Sequence, residues 1–244
     1  MADRDQVLRE IFFPEYSADT PVHELEMAPV IEQLSGLADV LGRDASENDL
    51  HEFLVANPGF VLGLFGFADS RTLAFFNKPA IGTRFVADFG VLMADQGASC
   101  VGLVEIERAS TALFTQQQTP AKSYQTAIGQ VTEWRQWIEP NQKTFVSDLV
   151  AAARDLPEWP DRSSNGSFRT MPPDRLEQWW RAFGGDTAPS FSYVIACGRW
   201  ALLSKAERER LTFLNSKANP YQTVTYDQIA RRAYRRPLTN WGSE

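Results

Sequence analysis

The sequence predicts an α/β fold built on a mixed β-sheet flanked by helices, and three observations support this prediction. Three β-type segments follow one another after a helical opening. Helix-type and strand-type segments then alternate through the rest of the chain. The chain has 244 residues, of which 43% are hydrophobic, so it can bury a full core as one large domain or as a domain with a small appendage.

Residues 1–45 are predicted to be a helical N-terminal extension. Apolar side chains recur there at helical spacing, and Gly42 ends the run. This stripe consists of Met27, Val30, Ile31, Leu34, Leu37, Val40 and Leu41. We expect it to pack on the protein's own domain, with a partner subunit as the alternative.

A second helix is predicted to begin at Ser46 and to stop at residues 57–59, an Asn-Pro-Gly sequence. Asp49 lies in its first turn, where an acidic side chain is favourable. Glu47 shares one side of this helix with Leu50 and Leu54, so it is an acid on a mostly apolar face.

Residues 73–76, 84–92 and 100–107 have the composition of β-strands, and a turn signal at residues 94–97 separates the last two. We expect these strands to form a meander. A long amphipathic helix follows and is predicted to end at Pro140, with Gln130 on or beside its apolar stripe. The remaining predicted elements are a helix over 144–153, a flexible loop over 156–173, a helix over 174–183, a strand over 191–197, a helix over 207–214, a strand over 221–225 and a helix over 226–234.

Three acids are concentrated on two neighbouring predicted strands. Glu105 and Glu107 project from the same face because side chains alternate along a strand, and Asp88 interrupts the preceding apolar run. Burying an unpaired carboxylate costs several kcal/mol, and converging carboxylates repel each other. A divalent cation such as Mg²⁺, Mn²⁺ or Ca²⁺ would neutralise them. The alternative is that these acids are solvated strand ends.

Composition and charge argue against several other classes of protein. The formal charge is −7, which argues against a general polyanion binder, although arginines 231, 232, 235 and 236 form a basic cluster near the C-terminus. That cluster is either a solvated helix end or a binding surface. The two cysteines lie in or beside apolar segments, which indicates buried free thiols and a cytoplasmic protein. No apolar stretch is long enough to cross a bilayer, and two histidines are too few for the usual zinc sites.

Six motifs occur in an order that resembles a known family. They are Phe-Leu-Val-Ala-Asn-Pro at 53–58, Asp-Phe at 88–89, Leu-Val-Glu-Ile at 103–106, Ala-Ile-Gly-Gln-Val at 127–131, Tyr-Val-Ile-Ala-Cys-Gly-Arg at 193–199 and Val-Thr-Tyr-Asp at 224–227. Together they resemble the Shedu anti-phage defence nucleases, which belong to the PD-(D/E)XK superfamily. The resemblance covers residues 46–235.

The resemblance implies a restriction-endonuclease-like core over residues 46–240, with an insertion at about 145–190. It further implies that Asp88 and Glu105 hold Mg²⁺ or Mn²⁺, with the carbonyl of Ile106 as a further ligand and Glu47 as an extra acid. Gln130, followed by Trp134, matches a Gln-x-x-x-Tyr helix motif with tryptophan in place of tyrosine.

The chief departure from the family pattern is Glu107, which occupies the position of the usual catalytic lysine. A glutamate cannot supply positive charge, but it can act as a general base or as a metal ligand. We therefore expect a metal-dependent DNA endonuclease that hydrolyses phosphodiester bonds in bacterial defence. The alternatives are a catalytically silent nuclease fold that binds nucleic acid or a protein, and a structural protein whose acids are solvated.

The resemblance also implies partners. DNA is the expected substrate, and we expect its backbone to be held by Arg84, Arg108, Lys122 and Arg135. Arg108 faces away from Glu107 on an ideal strand, so its contribution requires a local bulge. The family resemblance suggests a homo-oligomer, which could present two sites to duplex DNA.

Overall fold

The computed structural model describes residues 28–43, 45–65, 72–95, 98–179, 181, 190–216 and 219–235. Its strands are β1 (Thr72–Asn77), β2 (Ala80–Ile81), β3 (Phe85–Val86), β4 (Phe89–Asp95), β5 (Ala98–Ile106), β6 (Phe168–Arg169), β7 (Ser190–Ala196) and β8 (Gln222–Val224). Its helices are α1 (Ala28–Gly42), α2 (Glu47–Ala56), α3 (Gly59–Leu62), α4 (Lys122–Arg154), α5 (Pro173–Trp179), α6 (Lys205–Leu214) and α7 (Tyr226–Arg235). Short 3₁₀ turns cover Gly63–Phe65 and Trp200–Leu202.

The centre of the fold is a six-stranded sheet with the order β6-β1-β4-β5-β7-β8. The β1, β4 and β5 strands form an antiparallel meander, as the sequence predicts. The β7 strand pairs with β5 in parallel, and β8 pairs with β7 in parallel, so the sheet is mixed. A parallel partner requires a crossover connection, and α4 and α5 lie on the connection between β5 and β7.

Helices cover both faces of this sheet, which confirms the predicted fold class. On one face α1, α2, α3 and α7 pack against inward side chains such as Phe89, Val104 and Ile106. On the other face α4, α5 and α6 pack against Val101, Leu103 and their neighbours. The alternation of Leu103, Val104 and Ile106 between the two cores follows from the strand period of two. No helix in the described part of the chain has the length and apolar composition to span a bilayer.

The two opening helices form for the reasons expected. Leu34, Leu37, Val40 and Leu41 are all buried in the core beside the sheet, so the stripe of α1 packs on the protein's own domain. Met27 and the side chains of Val30 and Ile31 lie outside the described residues. Ser46 caps α2 through a reciprocal pair of bonds with Asp49, whose Oδ2 accepts from the Ser46 N–H at 2.8 Å.

The predicted break of the long helix at Pro140 is confirmed. The span assigned to α4 consists of two helices that meet at a kink, where Asn141 has the non-helical angles φ −115° and ψ 15°. The Asn141 side-chain amide donates to the carbonyl of Trp137 at 2.7 Å, so a side chain supports the chain at the kink. The predicted helices up to 138 and over 144–153 are therefore the two helices on either side of this kink.

One prediction about the connection after β5 needs correction, namely that residues 156–173 form a flexible loop. They contain the edge strand β6, whose Phe168 is fully buried and stacks on Phe75 at 5.3 Å between ring centroids. Arg162 donates to the carbonyls of Val55 and Ala56 at 2.8 and 3.1 Å. A two-residue strand is too short to show an alternating pattern, which explains why the sequence did not predict it.

The predicted strand over 84–92 is also divided. The β2 and β3 strands form a small separate hairpin, and Ala87 and Asp88 connect β3 to β4. Asp88 therefore lies immediately before β4 and not within a strand. The predicted helix over 174–183 begins at Pro173 and is described to Trp179, and its remaining residues lie largely outside the described part.

Candidate functional site

The candidate site lies where β5 ends beside the beginning of β4. Asp88 is held there by two main-chain contacts. Its N–H donates to the carbonyl of Val104 at 3.1 Å, and its Oδ2 accepts from the N–H of Ile106 at 2.8 Å. Val104 and Ile106 face β4 because alternate residues of a strand bond to the same neighbour. The carboxylate of Asp88 thus accepts a hydrogen bond from β5 that a main-chain carbonyl would accept if β4 extended to this point.

Asp88 and Glu105 form a carboxyl pair in which Glu105 is buried and Asp88 is half-buried. Glu105 is only 7% exposed, and the two carboxyl groups lie within hydrogen-bonding range of each other. Burial is the main cause that raises the pKa of Glu105 to about 9, and the negative charges of Asp88, Glu107 and Glu47 raise it further. Burial likewise raises the pKa of Asp88. The pair therefore holds a proton near neutral pH when no cation neutralises it.

Glu107 and Glu47 extend the negative charge around this pair. Glu107 directly follows β5 and is half-buried, and burial together with Glu47 and Asp88 raises its pKa. Glu47 begins α2 on the same side of the helix as the buried Leu50 and Leu54, but its side chain is exposed at the helix end, and its charge acts on both Glu105 and Glu107. The four predicted acids therefore lie within electrostatic range of one another.

The main chain of Glu107 is fixed from two sides. Its N–H donates to the carbonyl of Ala196 on β7 at 2.8 Å, and its carbonyl accepts from the hydroxyl of Tyr226 at 2.7 Å. Tyr226 is fully buried, and burial raises its pKa well above the ordinary value, so the hydroxyl keeps its proton and donates. Glu107 thus leaves β5 in a defined direction.

Gln130 reaches the carboxyl pair from α4. Its side chain is exposed to solvent and forms a hydrogen bond with Glu105 that lowers the pKa of that carboxyl group. Trp134, one turn further along α4, is buried in the core instead. The expected helix motif is therefore divided between a side chain that contacts the site and one that packs the helix against the sheet.

The donor set matches a hard divalent cation in its chemistry. Asp88 and Glu105 supply carboxylate oxygens, and the Ile106 carbonyl faces the same side of β5 as its N–H. Among the described residues, no three His, Cys, Asp or Glu side chains are grouped closely enough to hold a metal. Mg²⁺ is commonly bound by one or two carboxylates with water and substrate phosphates, so a two-carboxylate site fits this ion.

The predicted DNA-binding cations lie around this region without forming one cluster. Arg108 is exposed, and its charge lowers the pKa of Glu107. Arg84 lies over the ring of Phe85 at 5.2 Å, and Arg135 lies over the ring of Tyr193 at 5.9 Å. Lys122 is exposed at the first residue of α4. Their contacts with DNA stay predictions.

One member of the basic cluster near the C-terminus, Arg232, has a structural role. The guanidinium group of Arg232 donates to the carbonyl of Leu64 at 2.9 Å, and burial lowers its pKa. Arg232 thus links α7 to the 3₁₀ turn after α3. The side chain of Arg235 and the whole of Arg236 lie outside the described residues.

Sequence reasoning missed two residues beside Asp88. His51 is buried and stacks on Phe89, with 4.9 Å between ring centroids and 14° between the planes. Burial lowers the pKa of His51, and the positive charge of Lys78 lowers it further. Lys78 lies in the turn after β1, and its charge also acts on Asp88. A motif search could not find either residue, because each belongs to a different element from the acids that it approaches.

The fold and the acids define a class, that of α/β proteins with a restriction-endonuclease-like core. The family model described as "Shedu protein SduA, C-terminal" matches residues 44–229 of this chain, a span that contains the whole central sheet. The chain therefore belongs to the Shedu family, and this membership suggests a role in anti-phage defence. A search of curated proteins found no match.

Proposed function

We propose that this protein is a metal-dependent DNA endonuclease that hydrolyses phosphodiester bonds in anti-phage defence. The observation that carries the proposal is the pair formed by the half-buried Asp88 and the buried Glu105, which is destabilised by its own charge. Such a pair is costly unless a cation or a proton neutralises it. Membership of the Shedu family is compatible with a nuclease and supports the same proposal.

Mg²⁺ or Mn²⁺ is the proposed cofactor, held by Asp88, Glu105 and the carbonyl of Ile106, with Glu47 as an outer acid. A divalent cation at this position would polarise a phosphodiester oxygen and lower the pKa of a bound water. The hydrogen bond from the Ile106 N–H orients the Asp88 carboxylate before any ligand arrives. The main-chain contacts of Asp88 hold it at the site in the same way.

In this proposal Glu107 accepts the proton of the attacking water. The water oxygen forms a bond to phosphorus, the bond from phosphorus to the leaving oxygen breaks, and solvent returns a proton to that oxygen. Burial and neighbouring acids raise the pKa of Glu107, which gives its carboxylate a stronger affinity for a proton than an exposed glutamate has. Gln130, which already contacts Glu105, would orient the attacking group or a neighbouring phosphate.

The proposed substrate contacts are electrostatic. Arg84, Arg108 and Lys122 are exposed, and Arg135 is partly exposed, so their charges can reach phosphate groups along a duplex. The formal charge of the whole chain is −7, so DNA binding requires these cations to act locally. Such contacts position the duplex without reading its sequence.

A second function is favoured by one specific observation, the glutamate at position 107. Without a lysine there, the protein could be a silent nuclease fold that binds nucleic acid or a protein partner. The two functions differ in one result, because a silent fold would bind DNA but would not cleave it with Mg²⁺ or Mn²⁺.

A plasmid assay tests the proposed function. Purified protein is incubated with supercoiled plasmid and Mg²⁺, Mn²⁺ or EDTA, beside the variants Asp88→Ala and Glu105→Ala. We expect cleavage only by the wild type with metal, because each variant removes a metal ligand. The exposed α4 residues Asp148 and Glu133 provide matched control variants, Asp148→Ala and Glu133→Ala, which should cleave normally. Cleavage by either active-site variant at the wild-type rate would refute the assignment.

A further inference from the structure

Lys78 lies directly beside Asp88 at the base of the β2–β3 hairpin. Its main-chain N–H donates to the carbonyl of Asp88 at 3.0 Å. One residue closer to the hairpin, the N–H of Ala87 donates to the carbonyl of Pro79 at 3.1 Å. The chain therefore leaves the central sheet at Lys78 and returns to it at Asp88, and a main-chain hydrogen bond joins these two residues.

The backbone of Lys78 has an unusual conformation. Its φ is +52°, in the left-handed region that residues other than glycine rarely adopt. The surrounding contacts keep it there, because the N–H of Asn77 donates to Ser167 Oγ at 2.9 Å and the Asn77 side-chain amide donates to the carbonyl of Asn165 at 2.6 Å. Pro79, on the other side, is buried. A strained residue that its neighbours hold in place often marks a functional position.

The side chain of Lys78 is exposed and positively charged, and its charge reaches the acids. It lowers the pKa of Asp88 and the pKa of His51, so its ammonium group lies within electrostatic range of both side chains. A further cation among the described residues, Arg108, acts on Glu107. Lys78 and Arg108 therefore approach the acids from different strands of the meander.

We propose that the ammonium group of Lys78 contacts the scissile phosphate and supplies the positive charge that the family pattern places at position 107. This inference rests on the proposed function. Lys78 keeps its proton throughout the reaction. It stabilises the negative charge that develops on the phosphate oxygens when the water oxygen adds to phosphorus, which is the role of a preorganised charge in phosphoryl transfer. Glu107 is then free to act as the base.

Three variants at position 78 separate charge from folding. Lys78→Met removes the charge, Lys78→Arg retains it, and Lys78→Gly removes it while relieving the left-handed strain, because glycine adopts positive φ without steric strain. Lys205→Met is the matched control, because Lys205 is 92% exposed and lies on α6. We expect Lys78→Gly to unfold at the same temperature as the wild type or above it.

Two measurements on these variants test the proposal. With Mn²⁺, plasmid cleavage should fall by about 100-fold in Lys78→Met and Lys78→Gly, which is the usual loss for one such charge, and by less in Lys78→Arg. In EDTA, the slope of log K for duplex binding against log salt should become shallower by about 0.9 in the two uncharged variants, because one phosphate contact is lost. A lysine that only shapes the turn would not change this slope.

The outcomes distinguish this inference from the function on which it rests. If the wild type cleaves and a folded Lys78→Gly cleaves equally well, Lys78 is not a catalytic residue and the proposed function stands. An unchanged salt slope in Lys78→Met and Lys78→Gly would also overturn the inference. If the wild type does not cleave with either metal, the proposed function fails and the role of Lys78 fails with it.

Discussion

At the scale of single residues, Glu105 controls how the metal-free protein responds to pH. Burial and nearby acids raise its pKa from 4.5 to about 9 in the folded state. Below pH 4.5 the carboxyl group is protonated whether the chain is folded or unfolded. Between these two values the unfolded chain releases the proton and the folded chain keeps it, so stability falls as the pH rises.

The variant Glu105→Gln should remove this dependence. In EDTA, the melting temperature of the wild type should fall between pH 5 and pH 9, and that of Glu105→Gln should fall less. At pH 8 the variant should melt several degrees higher, since 1 kcal/mol corresponds to about 2–4 °C for a chain of this size. Calorimetry or near-UV circular dichroism measures the difference. Equal slopes for Glu105→Gln and the exposed control Glu133→Gln would contradict the shifted pKa.

The residues of the site were only partly predictable from the sequence. Asp88, Glu105 and Glu107 could be predicted because acidic residues are unusual within apolar segments. Gln130 could be predicted because it belongs to an ordered set of motifs. Tyr226 was not, because it reaches Glu107 from 119 positions away along the chain. Lys78 was missed because its importance arises from a turn conformation and from pairing with Asp88, neither of which a local pattern contains.

At the scale of elements, one buried ion pair connects the end of β7 to the beginning of α7. The guanidinium group of Arg199 donates to Asp227 Oδ1 through Nε at 3.0 Å and through its terminal nitrogen at 2.9 Å. Asp227 is 2% exposed and also accepts from the N–H of Trp200. Because Tyr226 immediately precedes Asp227, this pair holds the first turn of the helix that also carries the Tyr226 hydroxyl.

Removing one partner of this pair should be strongly destabilising. Asp227→Ala leaves the charge of Arg199 without a partner in a largely buried position, which costs about 3–5 kcal/mol. Urea denaturation measures this loss. The control Glu209→Ala removes the exposed partner of Lys205 and should cost less than about 1 kcal/mol. A loss in Asp227→Ala as small as in the control would show that the pair does not stabilise the fold.

Elements with a strong internal period were predictable, and those defined by distant partners were not. The meander strands and the helices α1, α2 and α4 have clear periods of two or 3.6 residues. The β6 strand exists because Phe168 and Arg169 pair with Phe75 and Ala74, which lie more than ninety positions earlier. The break in α4 was predictable because Pro140 interrupts helical hydrogen bonding, and Asn141 beside it has non-helical angles.

At the scale of the whole molecule, the two helical layers converge on the acid site. The sheet presents Glu105 at the end of a central strand, α4 contributes Gln130 from one layer, and α2 and α7 contribute Glu47 and Tyr226 from the other. A ligand that neutralises these acids should therefore stabilise the entire fold, since it binds a site that only the folded chain assembles.

Millimolar Mg²⁺ or Mn²⁺ should raise the melting temperature of the wild type for this reason. A concentration one hundred times the dissociation constant corresponds to about 2.7 kcal/mol. Scanning calorimetry with and without metal measures the shift. Asp88→Ala should lose the response, and Asp148→Ala should retain it. An equal shift in wild type and Asp88→Ala would show that the ions act elsewhere.

Self-association stays a prediction at this scale. The described residues of the α1 stripe, Leu34, Leu37, Val40 and Leu41, are buried against the protein's own core, so two copies would not meet through these four side chains. Static light scattering at tens of micromolar tests the prediction, and we expect a mass of at least twice 27.5 kDa. A strict monomer would contradict it.

The rate of plasmid cleavage by the Glu107 variants tests the central claim most directly, namely that this molecule is an active nuclease with a carboxylate in place of the usual lysine. We predict that the wild type cleaves with Mn²⁺, that Glu107→Gln loses most of this activity because an amide cannot accept the proton, and that Glu107→Lys does not restore it. A silent wild type that begins to cleave as Glu107→Lys would identify an inactive fold. An active wild type with an equally active Glu107→Gln would contradict the assigned role of Glu107.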